Sequence, residues 1–379
     1  MEVCHLITSL RLGGSQKLIL QIVKNSKSEN LSHTVCSIGP QIVGGENELR
    51  SKFEDAGARV VDFGAKYRSD PFALWKIFQF FKQENPDVLH AHSVDANLVS
   101  RVIGRVAGID AVVSTHHIVP TQYHPALRAL DAVTTPLDSI TVGVSDGVRD
   151  EFVGNRRSWF PSFPDQWETV YNGIEIEKFR SAVETADVDS VRQRWGIDPD
   201  DFVYLTVGRY VPEKVQGDII KATAEIKERH PEFCPKLLIV GSGDLQTRLE
   251  NIVNDHGISE SVTVTGYVDE VHPYYAMADV FVSASIREGL PMVHIEAMSA
   301  GLPIVATDIP GVREIVFKGE TGLLVPTKSP TKLAQAMTEL EATDRRERFG
   351  RRGFERANKV FNINRTVRSY IDIYKHISS

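Results

Sequence analysis

Two glutamates in the run Glu288-Gly-Leu-Pro-Met-Val-His-Ile-Glu296 have the type and spacing to grip a phosphorylated sugar. Gly289 and Leu290 form the turn, with Gly289 permitting an unusual backbone. Pro291 suits a first helical turn, where its missing N–H costs least. The amides of Met292 and Val293 would then point out of a helix N-terminus, which favours an anion such as phosphate. Glu296, about one helical turn further on, can accept two hydrogen bonds from a ribose diol. Glu288 would then sit beside a sugar ring. Alone, the pair also fits a glutamate stabilising a helix dipole next to a solvated one.

Other loops offer matching chemistry. Gly208-Arg209 followed by Glu213-Lys214 sets a guanidinium and an ammonium beside a glycine turn. Arg supplies a planar fork and Lys a point charge, so the two could hold a diphosphate, although two solvated cations are the plainer account. Gly241-Ser-Gly243 allows close backbone approach to a ligand, but no third glycine completes a dinucleotide fingerprint. Gly266-Tyr-Val268 could rest a base against main-chain groups, or be an ordinary turn. Gly13-Gly14 offers amides ahead of a helix, or a tight turn. Thr115-His116-His117 could present an imidazole to a sugar hydroxyl, with one histidine packed and one at the surface as the alternative. His92 and Asp95 are weaker candidates of the same kind.

These loops share a position: each follows a short apolar run. Val3–Thr8, Thr34–Ile38, Arg59–Phe63, Val88–His90, Ala111–Ser114 and Ile140–Val144 read as buried strands, with helices at Gln16–Val23, Pro71–Lys82, Ala96–Val106 and Asp146–Phe152. The alternation breaks at 155–166, rich in Pro, Ser, Trp and Arg. It resumes at 168–174 and passes a polar run, 175–194, before a second alternation with strands at Phe202–Val207, Lys236–Val240, Val262–Thr265, Val280–Ser283 and Pro303–Ala306, and a last intervening helix at Thr331–Leu340. Such alternation implies parallel sheets covered on both faces. The expectation is an α/β chain of two doubly wound domains, 1–171 and 172–361, with a helix over Ile363–Ile377 in the tail 362–379. Ligands in such folds bind at the carboxyl ends of the strands, in a cleft if two sheets face each other.

Composition narrows the function. The chain has 379 residues, 42% hydrophobic and 25% charged, enough for two cores. A net charge of −7 argues against nucleic acid as the main partner. Cys4, Cys36 and Cys234 are scattered and odd in number, which disfavours a disulfide framework or zinc site and fits a reduced, cytoplasmic compartment. The N-terminus lacks the features of a signal peptide, and no run approaches the roughly 18 apolar residues of a membrane span.

Taken in order, these motifs, with Val144-Ser145, Val170-Tyr-Asn172-Gly173-Ile and the extension Glu296-Ala-Met-Ser-Ala-Gly-Leu-Pro, resemble the retaining glycosyltransferases of family 4 along nearly the whole chain. The resemblance implies the GT-B fold, two tandem Rossmann-like domains facing a cleft, with the C-terminal helix crossing back to the N-terminal, acceptor-side domain. It implies a hexosyltransferase that moves a sugar from a nucleotide diphosphate sugar, UDP-linked more commonly than GDP-linked, to a hydroxyl on a glycan or lipid-linked acceptor. Arg209 and Lys214 would neutralise the diphosphate and its developing charge. Glu296 would hold the ribose, Glu288 the donor sugar and Val268 the base. Amides near Gly14, Gly208, Gly241, Gly243, Gly289, Leu290, Met292 and Val293 would line the donor. His117, a better match to the family histidine than His116, would sit by the transferred sugar. The family has no agreed carboxylate nucleophile, so Glu288 is expected to orient and stabilise, with the departing phosphate as base.

No cofactor or obligatory metal is expected: Asp187-Val-Asp189 and Asp198-Pro-Asp200 lie in the polar stretch and read as surface charge. Trp159, Phe160, Phe163 and Trp167 beside Arg156 and Arg157 suit either the domain joint or peripheral contact with a membrane. Three rival functions share the fold: a nucleotide-sugar epimerase, a catalytically silent nucleotide-sugar-binding subunit, and a nicotinamide enzyme. The absence of Gly-x-Gly-x-x-Gly after the first strand disfavours the last.

Overall fold

β-Branched runs bounded by glycine and polar turns form short strands, and the amphipathic segments between them form the helices that parallel pairing requires. The computed structural model describes residues 1–10, 13–26, 29–39, 46–67, 70–157 and 166–378. It divides into two compact units, Met1–Gly173 with Ile363–Ser379, and Ile174–Asn362.

The first unit holds β1 Glu2–Ile7, β2 Ser32–Ser37, β3 Arg59–Asp62, β4 Val88–Ala91, β5 Val112–His116, β6 Ile140–Gly143 and β7 Trp167–Thr169. All pair in parallel, in the order β3-β2-β1-β4-β5-β6-β7. Side chains alternate between faces. Val3, Val88, Val113 and Val142 pack with Leu18, Ile22, Val367, Tyr370 and Tyr374, whereas Cys4, Leu6, Leu89 and Val112 pack with Ala73, Ile77 and Phe81. The C-terminal helix Ile363–Ile377 thus completes the core of this unit, and Tyr374 OH lies 2.6 Å from His90 Nδ1. Cys4 and Cys36 are buried free thiols in adjacent strands.

The second unit repeats the plan with β8 Val203–Val207, β9 Lys236–Val240, β10 Val262–Gly266, β11 Val280–Ser283, β12 Ile304–Thr307 and β13 Gly322–Val325, in the order β10-β9-β8-β11-β12-β13. Tyr204, Leu237, Ile239, Val282 and Val305 pack against Ile219, Ile220, Leu333 and Met337 of the covering helices.

Several elements differ from the sequence expectation. The edge strand β13, four residues long, has no counterpart in it, and the three-residue β7 covers only the start of the stretch 168–174 where the pattern resumes. The polar run 175–194 contains helices Ile176–Glu184 and Val188–Trp195, the second with no buried residue and therefore no apolar stripe to read. Helix Thr343–Val360 buries only Phe349, Gly350, Gly353 and Ala357. A Cβ on Gly350 would lie 2.0 Å from the Gly301 carbonyl oxygen, so backbone contact replaces the hydrophobic pattern there. The helix expected over Ala96–Val106 contains a π-helical turn, Ser100–Gly104, which carries the buried Arg101.

Candidate functional site

In a doubly wound sheet the crevice for a ligand opens where the strand order reverses, at the carboxyl ends of two neighbouring strands. In the second unit those strands are β8 and β11. The loop after β8 carries Gly208, Arg209 and Lys214; the loop after β11 carries Glu288. Lys214 Nζ lies 2.5 Å from Glu288 Oε1, and the two side chains are 20% and 14% exposed. The Ile286 amide donates to the Glu213 carbonyl at 2.9 Å and joins the loops a second time. Arg209 is exposed, while Gln216 Nε2 donates to its carbonyl at 2.8 Å.

The loop after β9 stacks on the loop after β8. Gly241 and Gly243 have φ of 147° and 154°. A Cβ on Gly241 would lie 2.0 Å from the Gly208 carbonyl oxygen, and one on Gly243 2.5 Å from that of Tyr210. Both glycines are therefore required by backbone packing whether or not a ligand is near. Val268 follows β10 at the far edge of the sheet and is half-buried.

After Gly289 and Leu290, helix Met292–Ser299 begins one residue later than expected: Pro291 is its N-cap, with φ −74° and ψ 104°, rather than part of the first turn. Met292 and Val293 are then the first two helical residues, whose amides have no partner within the helix. Tyr275 OH donates to Glu296 Oε2 at 2.9 Å, and burial, then the Glu296 charge, raises the Tyr275 pKa. Sequence reasoning misses Tyr275, because it enters from helix His272–Met277, which carries no motif. His294 is fully buried, with neither ring nitrogen hydrogen-bonded among the described residues; burial, then Lys214, lowers its pKa to about 3.

In the first unit, Gly14 opens helix Gly14–Asn25 and is exposed. The two adjacent histidines separate in character. His116 is fully buried: its ring lies 4.1 Å from Phe152, and Arg101 Nη2 is 3.4 Å from its Nε2. Arg101 in turn pairs with Asp131 and Asp138 at 2.7 and 2.8 Å. His117 is half-buried, yet its Nε2 is shielded and has no hydrogen-bond partner among the described residues. Burial lowers both pKa values to about 4. Asp187 accepts from the Ser190 amide and caps a helix, and Asp201 accepts from the Asp198 amide in the turn before β8. The ligand atoms of His5, His90 and His92 lie within 4.8 Å of one another and could hold a metal ion. Residues 158–165, with Trp159, Phe160 and Phe163, fall outside the described residues, as do the side chains of Arg156 and Arg157.

The chain matches the family model of glycosyltransferase family 4 over residues 12–178 and that of glycosyl transferases group 1 over residues 187–356. It is 22% identical over 382 residues to the UDP-Gal:alpha-D-GlcNAc-diphosphoundecaprenol alpha-1,3-galactosyltransferase of Escherichia coli, covering 99% of this chain and 96% of the relative. It is 26% identical over 305 residues to the N-acetyl-alpha-D-glucosaminyl L-malate synthase of Bacillus anthracis, covering 79% and 77%. Its fold is similar to that of Anabaena HepE in complex with UDP, with a TM-score of 0.83 at 19% identity, covering 99% of this chain and 100% of that one.

Proposed function

As the chain belongs to glycosyltransferase family 4, has the GT-B fold and is a transferase that takes sugar from a nucleotide-sugar donor, we propose that it moves a hexose from a UDP-sugar to a hydroxyl on a lipid-linked glycan, retaining the anomeric configuration and without a metal ion. The observation that carries this reading is the Lys214–Glu288 pair at the reversal point of the second sheet. Lys214 and Arg209 would take the charge of the leaving diphosphate, work that a metal ion does in other phosphate sites. The Met292 and Val293 amides would add two donors to it. Glu296, steadied by Tyr275, would hold the ribose, and Val268 would meet the base. Glu288, turned from Lys214, would bind hydroxyls of the sugar being moved. The acceptor hydroxyl would attack from the leaving-group face and give its proton to the departing phosphate. Gly14 and His117 are assigned to the first unit's share of the contacts. A thermal-shift panel of UDP- and GDP-hexoses should single out one UDP-sugar. The anomeric configuration of its product, read by NMR, should match that donor, and turnover should survive EDTA; an inverted product or chelator-sensitive turnover contradicts the proposal.

A lipid-linked acceptor is supported by the description of the Escherichia coli relative and by surface composition. Among the described residues, nine of the eleven exposed large hydrophobic side chains fall between Tyr67 and Leu137. Helix Pro71–Glu84 exposes Phe72 and Trp75, stacked at 6.2 Å, with Lys76 Nζ 4.6 Å from the Phe72 ring. Aromatic and basic side chains together suit a membrane interface. No helix among the described residues is long and apolar enough to cross a membrane. Replacing Phe72 and Trp75 by serine should reduce co-sedimentation with anionic liposomes and leave turnover on a soluble acceptor unchanged. Unaltered sedimentation would remove this support.

A further inference from the structure

The first sheet carries a line of imidazoles. His33 on β2, His5 on β1 and His92 just beyond β4 lie on neighbouring strands. Ser26 Oγ is 2.6 Å from His33 Nε2, His33 Nδ1 is 3.1 Å from His5 Nε2, and His5 Nδ1 is 3.2 Å from His92 Nε2. The line ends at His92 Nδ1, which is buried and has no partner among the described residues. The His117 ring lies 6.0 Å away, nearly parallel, with its own buried and unpartnered Nε2. A buried polar atom left without a partner costs free energy, so two of them on rings 6.0 Å apart mark a place for a polar group.

A neutral imidazole donates from one nitrogen and accepts at the other. Burial lowers the pKa of each of these rings, which keeps them neutral near pH 7. The direction of one hydrogen bond in the line therefore sets all the others. If the Ser26 hydroxyl donates to His33, His33 donates to His5, His5 donates to His92, and His92 Nδ1 carries the N–H. If Ser26 accepts, every bond reverses and Nδ1 presents a lone pair. A hydroxyl, which can donate and accept, fits either state. A metal ion at His5, His90 and His92 fits less well. Both nitrogens of His5 are committed along the line, and His90 is held between Tyr374 OH at 2.6 Å and Thr115 Oγ1 at 2.7 Å.

We propose that His92 Nδ1 and His117 Nε2 form a two-nitrogen subsite for one sugar hydroxyl, and that the Ser26–His33–His5 line sets whether His92 donates or accepts. The inference rests on the glycosyltransferase reading, and the hydroxyl belongs either to the donor sugar or to the acceptor. His92→Gln keeps a polar atom where Nε2 meets His5 but loses Nδ1; His92→Asn does the reverse. With turnover established for the unaltered enzyme, His92→Gln should lower kcat/KM by about 10-fold, and His92→Asn by no more than about threefold. Equal rates in all three proteins, or His92→Asn as poor as His92→Gln, overturn the subsite. An unaltered enzyme without transfer activity would instead overturn the functional reading.

A second measurement does not depend on either variant folding. With histidine labelled by ¹⁵N, ring-nitrogen shifts report each tautomer. UDP alone should leave His92 Nδ1 unmoved. A UDP-hexose should move it, together with the His5 and His33 signals, if the hydroxyl is the donor's; methyl α-glycosides should do so if it is the acceptor's. A shift of His92 without His5 and His33 overturns the line, and a response only to zinc overturns the hydroxyl assignment in favour of a metal site.

Discussion

Both sheets reverse their strand order at the same place in the plan, between β1 and β4 in the first unit and between β8 and β11 in the second, yet the two edges are built from opposite materials. The second edge is charged and partly exposed: Lys214 and Glu288 face each other, Arg209 is exposed, and glycines let the loops stack. The first is neutral and largely buried, with imidazoles and hydroxyls bonded to one another, down to the 2.6 Å contact between Thr8 Oγ1 and Ser93 Oγ. In the proposed reading one fold serves two tasks by changing the side chains along its strands and in the loops beyond them. Charge suits a diphosphate, and uncharged groups of adaptable polarity suit hydroxyls.

The largest expected effect separates the units by acid. His5, His33, His90, His92, His116 and His117 in the first unit, and His294 in the second, have folded pKa values below the unfolded value of about 6.5, chiefly through burial. Below that pH the unfolded chain binds more protons than the folded one. The stability tied to the neutral rings is therefore complete above about pH 6.5 and lost as pH falls toward 4, at about 1.4 kcal/mol per pH unit for each ring. The first unit, with six such rings, should unfold at much lower urea concentration at pH 5.5 than at pH 7.5, and the second, with His294 alone among them, should shift far less. Pulsed hydrogen exchange after equilibration in urea distinguishes the two; an equal shift in both units would break the contrast.

Next in size is Lys214→Ala. It removes the cation and leaves Glu288 unpaired, and it should lower transfer by about 10²- to 10³-fold and weaken UDP binding in calorimetry. Gly241→Ala places a Cβ against the Gly208 carbonyl at a φ that L residues avoid. It should destabilise the second unit by about 2–3 kcal/mol in urea titration while sparing the first. The smallest effect belongs to Tyr275→Phe, which deletes one hydrogen bond to Glu296 and should raise the KM for the nucleotide sugar by about threefold to 10-fold.

The contrast between the edges also explains how much of each is legible in the sequence. The charged loops are legible because glycine, arginine, lysine and glutamate stand in fixed order after β-branched runs, and the strands Lys236–Val240 and Val280–Ser283 agree with their expected bounds. The imidazole line is not legible beyond His92 as a weak candidate: His5 and His33 sit within strands and meet only through parallel register. Tyr275 is 21 residues from its partner Glu296 and has no periodic signature. Helix Thr343–Val360 is silent because glycines, rather than an apolar stripe, carry its packing.

The most direct test of the donor grip is Glu288→Gln, assayed for both UDP binding and sugar transfer. In the proposed grip Glu288 serves the moving sugar and Lys214 the diphosphate. The variant should therefore bind UDP within about threefold of the unaltered enzyme, while transfer falls by about 100-fold or more. Full transfer activity in Glu288→Gln would contradict the donor grip at its centre.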